Sequence, residues 1–131
     1  MTQRFSEPLF VISVAARLVE MHPQTLRKYE REGLIAPSRT SGNLRLYSDS
    51  DIERLRQVKY LVENRGLNLA GVQLALELTH QIQDLRSRII SASTERKPSP
   101  VINELDGVLA SLGFVDEQRV RDQQRQSDGQ S

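Results

Sequence analysis

The 131-residue chain contains no cysteine and no tryptophan, and it has only two histidines. Without thiols it can form no disulfide, thiolate metal site or cysteine nucleophile, and two histidines are too few for a histidine-based metal cluster. Aromatic residues make up 5% of the chain, which argues against a deep aromatic ligand pocket within one chain. We therefore expect neither a metal nor a cofactor.

The sequence also lacks the groups that most enzymes need. It contains no nucleophile beside a candidate base, no carboxylate pair at catalytic spacing and no glycine-rich phosphate loop. Its longest apolar run is only a few residues, far short of the roughly 20 that span a bilayer, and no segment resembles a secretory signal. We expect a cytoplasmic protein that is not an enzyme.

Charge is unevenly distributed, although the formal net charge is only +1. Residues 1–66 contain eleven Lys and Arg against eight Asp and Glu, whereas residues 67–131 contain seven against nine. A basic first half and a mildly acidic second half suit a DNA-facing domain followed by an association segment.

Two short helices separated by a tight turn are predicted after a polar N-terminal arm. Ser13 is a suitable N-cap for the first helix. Pro23 suits the first turn of the second helix, and Gly33 suits the position just after its end. Two such helices form a helix-turn-helix arrangement.

The helical pattern breaks after this pair. Turn residues near Gly42 and a period-two alternation ending at Tyr47 predict a β-hairpin over residues 38–47, called the wing below. Ser48, with Asp51 three residues later, matches a capping box at the start of the next helix.

A later helix begins after Asn68 and carries apolar residues at alternating spacings of three and four. The seam consists of Ala75, Leu78, Ile82, Leu85 and Ile89. This register is typical of a coiled coil. The seam could also be intramolecular core, but its polar flanks favour a homodimer, which would double the contacts to a palindromic DNA site.

Together these patterns predict a mainly α fold, a winged helix-turn-helix with a small β-hairpin wing and a C-terminal helical dimerisation segment. The predicted segments are a flexible arm over residues 1–9, a DNA-binding domain over 10–78, a coiled-coil dimerisation helix over 79–92, a linker over 93–100, a short amphipathic helix over 101–113 and a disordered tail over 114–131.

The second helix of the pair has the composition that reading DNA requires. Leu26 and Tyr29 can face a core, whereas the remaining faces carry Gln24, Thr25, Arg27, Lys28 and Arg31. Gln can bind adenine and Arg guanine bidentately, each pair contributing about 1–3 kcal/mol of discrimination. The N-terminal residues of such a helix usually meet base edges. On this helix alone, an ordinary basic surface helix fits equally well.

Three wing residues, Arg39, Arg45 and Tyr47, follow that helix and could reach phosphates or a minor groove. Such contacts make affinity depend on salt. Arg45 and Tyr47 fit a structural role as well, packed back on the domain. His22 in the turn fits either a DNA contact or a helix cap.

Several runs in this order resemble the MerR family of regulators. They are VISVAARL at residues 11–18, TLRKYEREGLIAP at 25–37, RLYS at 45–48 and DIERL at 51–55. The resemblance covers roughly residues 10–78. The segments at residues 21–27 and 68–72 further resemble the HspR-type heat-shock repressor branch of that family.

The resemblance implies a role for each matching position. DNA contacts would come from Arg17, Gln24, Thr25, Arg27, Tyr29 and Arg45, and the helix over residues 78–89 would pair antiparallel with its twin. In that branch the regulator represses chaperone genes at inverted repeats of double-stranded DNA, with the Hsp70 chaperone DnaK as co-repressor. Lys28 and Asn43 depart from the Tyr and Gly of most members, which leaves the wing shape and base preference open. Metal sensing, which relies on cysteines in this family, is excluded.

Two other functions stay open beside repression. One is an activator that remodels an over-long promoter spacer, and the other is a protein-binding adaptor that has lost DNA binding. The basic residues of the helix pair and wing argue against the adaptor. Heat would act either by withdrawing a chaperone or by loosening the regulator itself.

Overall fold

The computed structural model describes residues 5–93 and 99–115 of the chain. In these ranges its elements are β1 (Phe10–Val11), α1 (Ile12–Val19), α2 (Pro23–Arg31), β2 (Ser38–Arg39), β3 (Arg45–Tyr47), α3 (Asp49–Glu63), α4 (Leu69–Ala92) and α5 (Pro100–Ser111). The predicted mainly helical, winged helix-turn-helix fold is confirmed. No helix in the described ranges is both long enough and apolar enough to cross a membrane.

The ends of α2 follow the local chemistry of the sequence. His22 is the N-cap, because its Nδ1 accepts a hydrogen bond from the Gln24 N–H at 3.1 Å, and Pro23 occupies the first turn. This confirms the capping interpretation of His22. Gly33 follows the helix end with φ of +78°, a conformation that glycine adopts without a steric penalty.

The predicted N-cap at Ser13 is wrong. The N-cap of α1 is Val11, and Ser13 lies inside the helix. Because β1 runs directly into α1, Val11 is the last extended residue before the helix. Ser13 already has helical backbone and so cannot be the N-cap.

The wing belongs to a three-stranded antiparallel sheet with β3 in the centre. On one side Phe10 of β1 lies opposite Tyr47, and on the other side Arg39 of β2 lies opposite Arg45. The Leu9 N–H extends the first pairing by donating to the Tyr47 carbonyl at 3.0 Å. The sheet therefore ties the start of the chain to the wing.

Asn43 closes the wing turn in the left-handed region, with φ of +67°. Asparagine tolerates this conformation better than other residues that carry a Cβ. Its N–H donates to the Thr40 carbonyl at 2.9 Å, and the Thr40 N–H donates to the Leu44 carbonyl at 2.9 Å. Asn43 can therefore take the place of the glycine common in the resembling family.

One apolar core unites α1–α4 with β3. Its fully buried side chains include Ala15, Leu26, Tyr47 and Leu55. Burial of each large apolar side chain contributes about 1.5–3 kcal/mol, so this core fixes both the helix pair and the wing on the same body.

The C-terminal helices pack on each other and on this core. Helix α4 is continuous across residue 78, where the sequence analysis divides the DNA-binding domain from the dimerisation helix. An ion pair of 2.7 Å between Arg86 and Asp106 links α4 to α5. Residues 94–98 of the predicted linker, residues 116–131 of the predicted tail and residues 1–4 of the arm lie outside the described residues.

A buried amide joins the end of α5 to the core. The Gln57 amide of α3 donates to the Thr79 hydroxyl at 2.8 Å and to the Leu112 carbonyl at 3.0 Å. Next to this carbonyl, Gly113 has φ of +81° and lies against the Tyr60 ring. The chain after α5 is therefore in direct contact with α3.

We expect opposite effects from the same substitution at two glycines of this segment. In Gly113→Ala the new Cβ would clash with Cδ1 of Tyr60, at a positive φ; we expect the free energy of unfolding to fall by about 1–3 kcal/mol. In Gly107→Ala the Cβ meets nothing within 4 Å inside α5, and we expect a gain of up to about 1 kcal/mol. Urea unfolding followed by circular dichroism measures both. An unchanged stability in Gly113→Ala would contradict the contact with α3.

Candidate nucleic-acid interface

Helix α2 presents a polar and basic face. Gln24, Lys28 and Arg31 are exposed and Arg27 is half-buried, and spacings of three and four residues place them on one side of a helix. We call these four residues the recognition face. The buried Leu26 anchors α2 in the core, so the recognition face points outward from a fixed helix.

The cations of this face are largely uncompensated. In the part of the chain that the structure describes, Arg27 and Arg31 form no ion pair, nor does the exposed Arg17 of α1. Lys28 lies 3.9 Å from Glu32 in an exposed pair, a type of contact that contributes little. These charges are available to phosphates or base edges.

Arg31 belongs to this face, although it is not among the predicted DNA contacts. It follows Gln24 by seven residues, which is two helical turns. That spacing is the signal that identifies it. Thr25, which is one of the predicted DNA contacts, is half-buried beside the face.

Other basic residues are used inside the domain. The Arg54 guanidinium donates through Nε to the Leu34 carbonyl at 2.5 Å. The Lys59 ammonium donates to the Val19 and Glu20 carbonyls, both at 3.2 Å, where a cation also interacts favourably with the C-terminal end of α1. These two cations stabilise the fold.

Both wing arginines bind the same carboxylate of α2. The Arg39 Nη2 lies 2.5 Å from Oε1 of Glu30, and the Arg45 Nε lies 2.6 Å from Oε2. Burial would raise the pKa of Glu30, but the hydrogen bonds from Arg45 and Arg39 outweigh it and hold the pKa below its ordinary value. Glu30 is absent from the predicted site residues because its partners lie nine and 15 residues away, beyond any helical or strand period.

The two tyrosines predicted to contact DNA lie in the core. Tyr47 has 0% of its surface exposed, and its hydroxyl has no hydrogen-bond partner among the described residues. Burial, together with the charge of Glu30, raises its pKa. Tyr29 is also buried, and burial with the nearby Glu63 raises its pKa. Their contact with DNA stays a prediction.

The predicted dimerisation seam divides between two environments. Ala75 belongs to the core with 4% exposure, whereas Leu78 and Leu85 are each 40% exposed. Ile82 and Ile89 are half-buried. The exposed leucines are the seam positions that remain available to a second chain.

We expect Tyr47→Phe to leave the fold intact. Removing a buried hydroxyl that has no partner should leave the free energy of unfolding unchanged or raise it slightly, whereas Tyr47→Ala should lower it by about 3–5 kcal/mol. Urea unfolding gives the stabilities, and retention on DNA is measured on the same proteins. A phenylalanine variant that is stable but no longer binds DNA would instead assign the hydroxyl to the interface.

Comparison with known proteins places this geometry in a family. Residues 10–79 match the model of the MerR HTH family regulatory proteins. The chain is 53% identical over 81 residues to the putative heat shock protein HspR of Streptomyces coelicolor, covering 62% of this chain and 54% of the relative.

Two further relatives are regulators by name. The HTH-type transcriptional regulator GlnR of Bacillus cereus is 40% identical over 73 residues, 56% of each chain. The regulator YfmP of Bacillus subtilis is 31% identical over 108 residues, 81% of this chain and 77% of the relative. The chain spans about half the length of the first of these relatives. It belongs to the MerR family of helix-turn-helix regulatory proteins.

Proposed function

We propose that the protein is a sequence-specific DNA-binding transcription repressor of heat-shock chaperone genes, acting as a homodimer on an inverted-repeat operator with an Hsp70-type chaperone, DnaK, as co-repressor. The observation that carries DNA binding is the recognition face, an exposed amide and three cations on a helix that the core holds rigidly. A helix of this kind fits the major groove, where amide and guanidinium groups distinguish bases.

The heat-shock assignment is supported by similarity. The relative from Streptomyces coelicolor is named as a putative heat shock protein, and it shares 53% identity over the matched segment. The resemblance of residues 21–27 and 68–72 to the heat-shock repressor branch supports the same assignment, together with repression and the chaperone partner.

The exposed leucines of α4 support a dimer. Leu78 and Leu85 are seven residues apart on one helix, each with substantial apolar surface in contact with water. A heptad spacing of leucines is typical of a coiled-coil seam. A two-fold dimer would present two recognition faces to two half-sites of a palindrome.

A gel-shift titration against the upstream regions of the host's chaperone operons tests the proposal. It is run at two salt concentrations, with and without purified DnaK. Tight, salt-sensitive binding that DnaK strengthens supports both the operator class and the co-repressor. No binding there, with tight binding to other genomic fragments, would discard the heat-shock assignment and keep the regulator.

We expect two substitutions on the recognition face to act differently. Gln24→Ala should cost about 1–3 kcal/mol of binding and relax preference at one base position. Arg31→Ala, if it removes a phosphate contact, should weaken binding to all sequences and lower the slope of log affinity against log salt by about 1.

Arg88→Ala is the matched control, since Arg88 is an exposed arginine on α4 that pairs only with Asp84 among the described residues. Binding curves on sequence-varied duplexes at several salt concentrations separate the three variants. An Arg88→Ala protein as impaired as Arg31→Ala would contradict the placement of the interface on α2.

We expect the double variant Leu78→Glu/Leu85→Glu to be monomeric. Association would bury its charged side chains at the seam, and removing these charges from water is unfavourable. Leu69→Glu is the control: Leu69 is 41% exposed on the same helix but lies off the seam. Sedimentation velocity measures the association state. A double variant that stays dimeric would place the dimer interface elsewhere.

A further inference from the structure

The ion-paired cluster of Glu30, Arg39 and Arg45 joins three elements. Glu30 lies on α2, Arg39 on β2 and Arg45 on β3, and each carboxylate oxygen accepts from one arginine. We call these three residues the wing clamp.

The wing clamp removes a conflict within the sheet. Arg39 and Arg45 are directly paired across β2 and β3, and like charges in that position destabilise a strand pair. A carboxylate shared between the two guanidinium groups replaces their repulsion with two charge-assisted hydrogen bonds. The two strands are thereby held to each other and to α2.

The wing clamp also reaches the wing turn. Besides its bond to Glu30, Arg39 donates through Nη1 to the Asn43 carbonyl at 3.3 Å. The Arg39 side chain therefore connects the wing turn to α2. This connection adds to the core contact that Tyr47 makes at the other end of the wing.

We propose that Glu30 determines DNA specificity without reading a base: its carboxylate holds Arg39 and Arg45 at fixed positions beside the recognition face and withholds their charge from phosphates of unrelated DNA. This inference rests on the proposed DNA-binding function. Glu30 is a positioning residue that acts through the two arginines.

The chemistry of the guanidinium group allows both roles. Each arginine has five N–H donors, and only one Arg45 donor and one Arg39 donor bind Glu30. The remaining donors can meet phosphates that lie where the wing clamp places them. Without the carboxylate, each arginine can turn to phosphates of any sequence, and it does so with its full charge.

Glu30→Gln against Glu32→Gln is the matched test. Both remove one negative charge at the C-terminal end of α2 with little change in size, but Glu32, the C-cap, pairs with Lys28 and forms no ion pair with a wing residue among the described residues. A glutamine at position 30 is uncharged and has one acceptor oxygen in place of two, so it cannot give each arginine an oxygen of its own, and its NH2 group would face one guanidinium with donors only. The probes are a duplex that the wild-type protein selects from a random-sequence library and a duplex of unrelated sequence.

We expect Glu30→Gln to bind the unrelated duplex about tenfold more tightly, with a salt slope steeper by about 1–2 because up to two more phosphates are neutralised. Binding to the selected duplex should stay the same or weaken, so the ratio of the two affinities falls by about tenfold or more. In Glu32→Gln that ratio should change by less than about threefold, since a general gain of charge acts on all DNA alike.

Adding Arg39→Gln and Arg45→Gln to the Glu30→Gln protein should return binding of the unrelated duplex to the wild-type level or below. Equal effects of Glu30→Gln and Glu32→Gln on both duplexes would overturn the proposal. So would a parallel loss of both affinities in Glu30→Gln with a lowered melting temperature, which is the result of a purely structural role. A wild-type protein that selects no duplex would instead overturn the proposed function on which the inference rests.

Discussion

The geometry of the interface depends on the core that α2 and β3 share. Leu26 and Tyr47 are both fully buried in it, one from the helix and one from the central strand. Because interiors are close-packed, neither element can shift without disturbing the other. The recognition face and the wing are therefore two parts of one rigid surface, and the ring of Tyr47 matters more to the fold than its hydroxyl does.

Much of this fold can be predicted from the sequence, because the ends of its elements are set by local chemistry. Pro23 and Gly33 delimit α2, Ser48 and Asp51 form the capping box of α3, and Asn68 caps α4. Each signal involves residues at most three or four positions apart. The start of α1 is missed because it depends on β1, whose partner Tyr47 lies far along the chain.

The apolar seam of α4 illustrates a second limit. Its period predicts a buried helix face, but the same spacing serves both an internal core and a partner chain. In the structure the buried residues of α4 include Ala75 and Thr79, whereas Leu74, Leu78 and Leu85 face outward. Leu74 is not among the predicted seam residues, since the strict register runs through Ala75. A periodic pattern specifies a face, and the neighbouring elements decide what covers it.

Charge alone is likewise a poor guide to the interface. Of the basic residues in the helix pair, wing and α3, Arg54 and Lys59 bind backbone carbonyls, and Arg39 and Arg45 share a carboxylate. No count of lysines and arginines distinguishes these from Arg27 and Arg31, because the partners are set by tertiary contacts. The site could be predicted from the sequence only along α2, where helical spacing groups its residues.

An acidic residue within a basic surface has a physical consequence of its own. Attraction between cations and phosphates is independent of sequence and favours every site on DNA equally. Base contacts, by contrast, are made only when the recognition helix is seated correctly. A carboxylate that offsets part of the cationic charge therefore subtracts from non-specific binding, and the rigidity it gives to the wing preserves the contacts that correct seating makes possible. Glu30 would therefore favour the correct site by weakening binding to all other DNA. Because it is neither a cation nor an amide, its residue type alone does not mark it as part of a DNA interface.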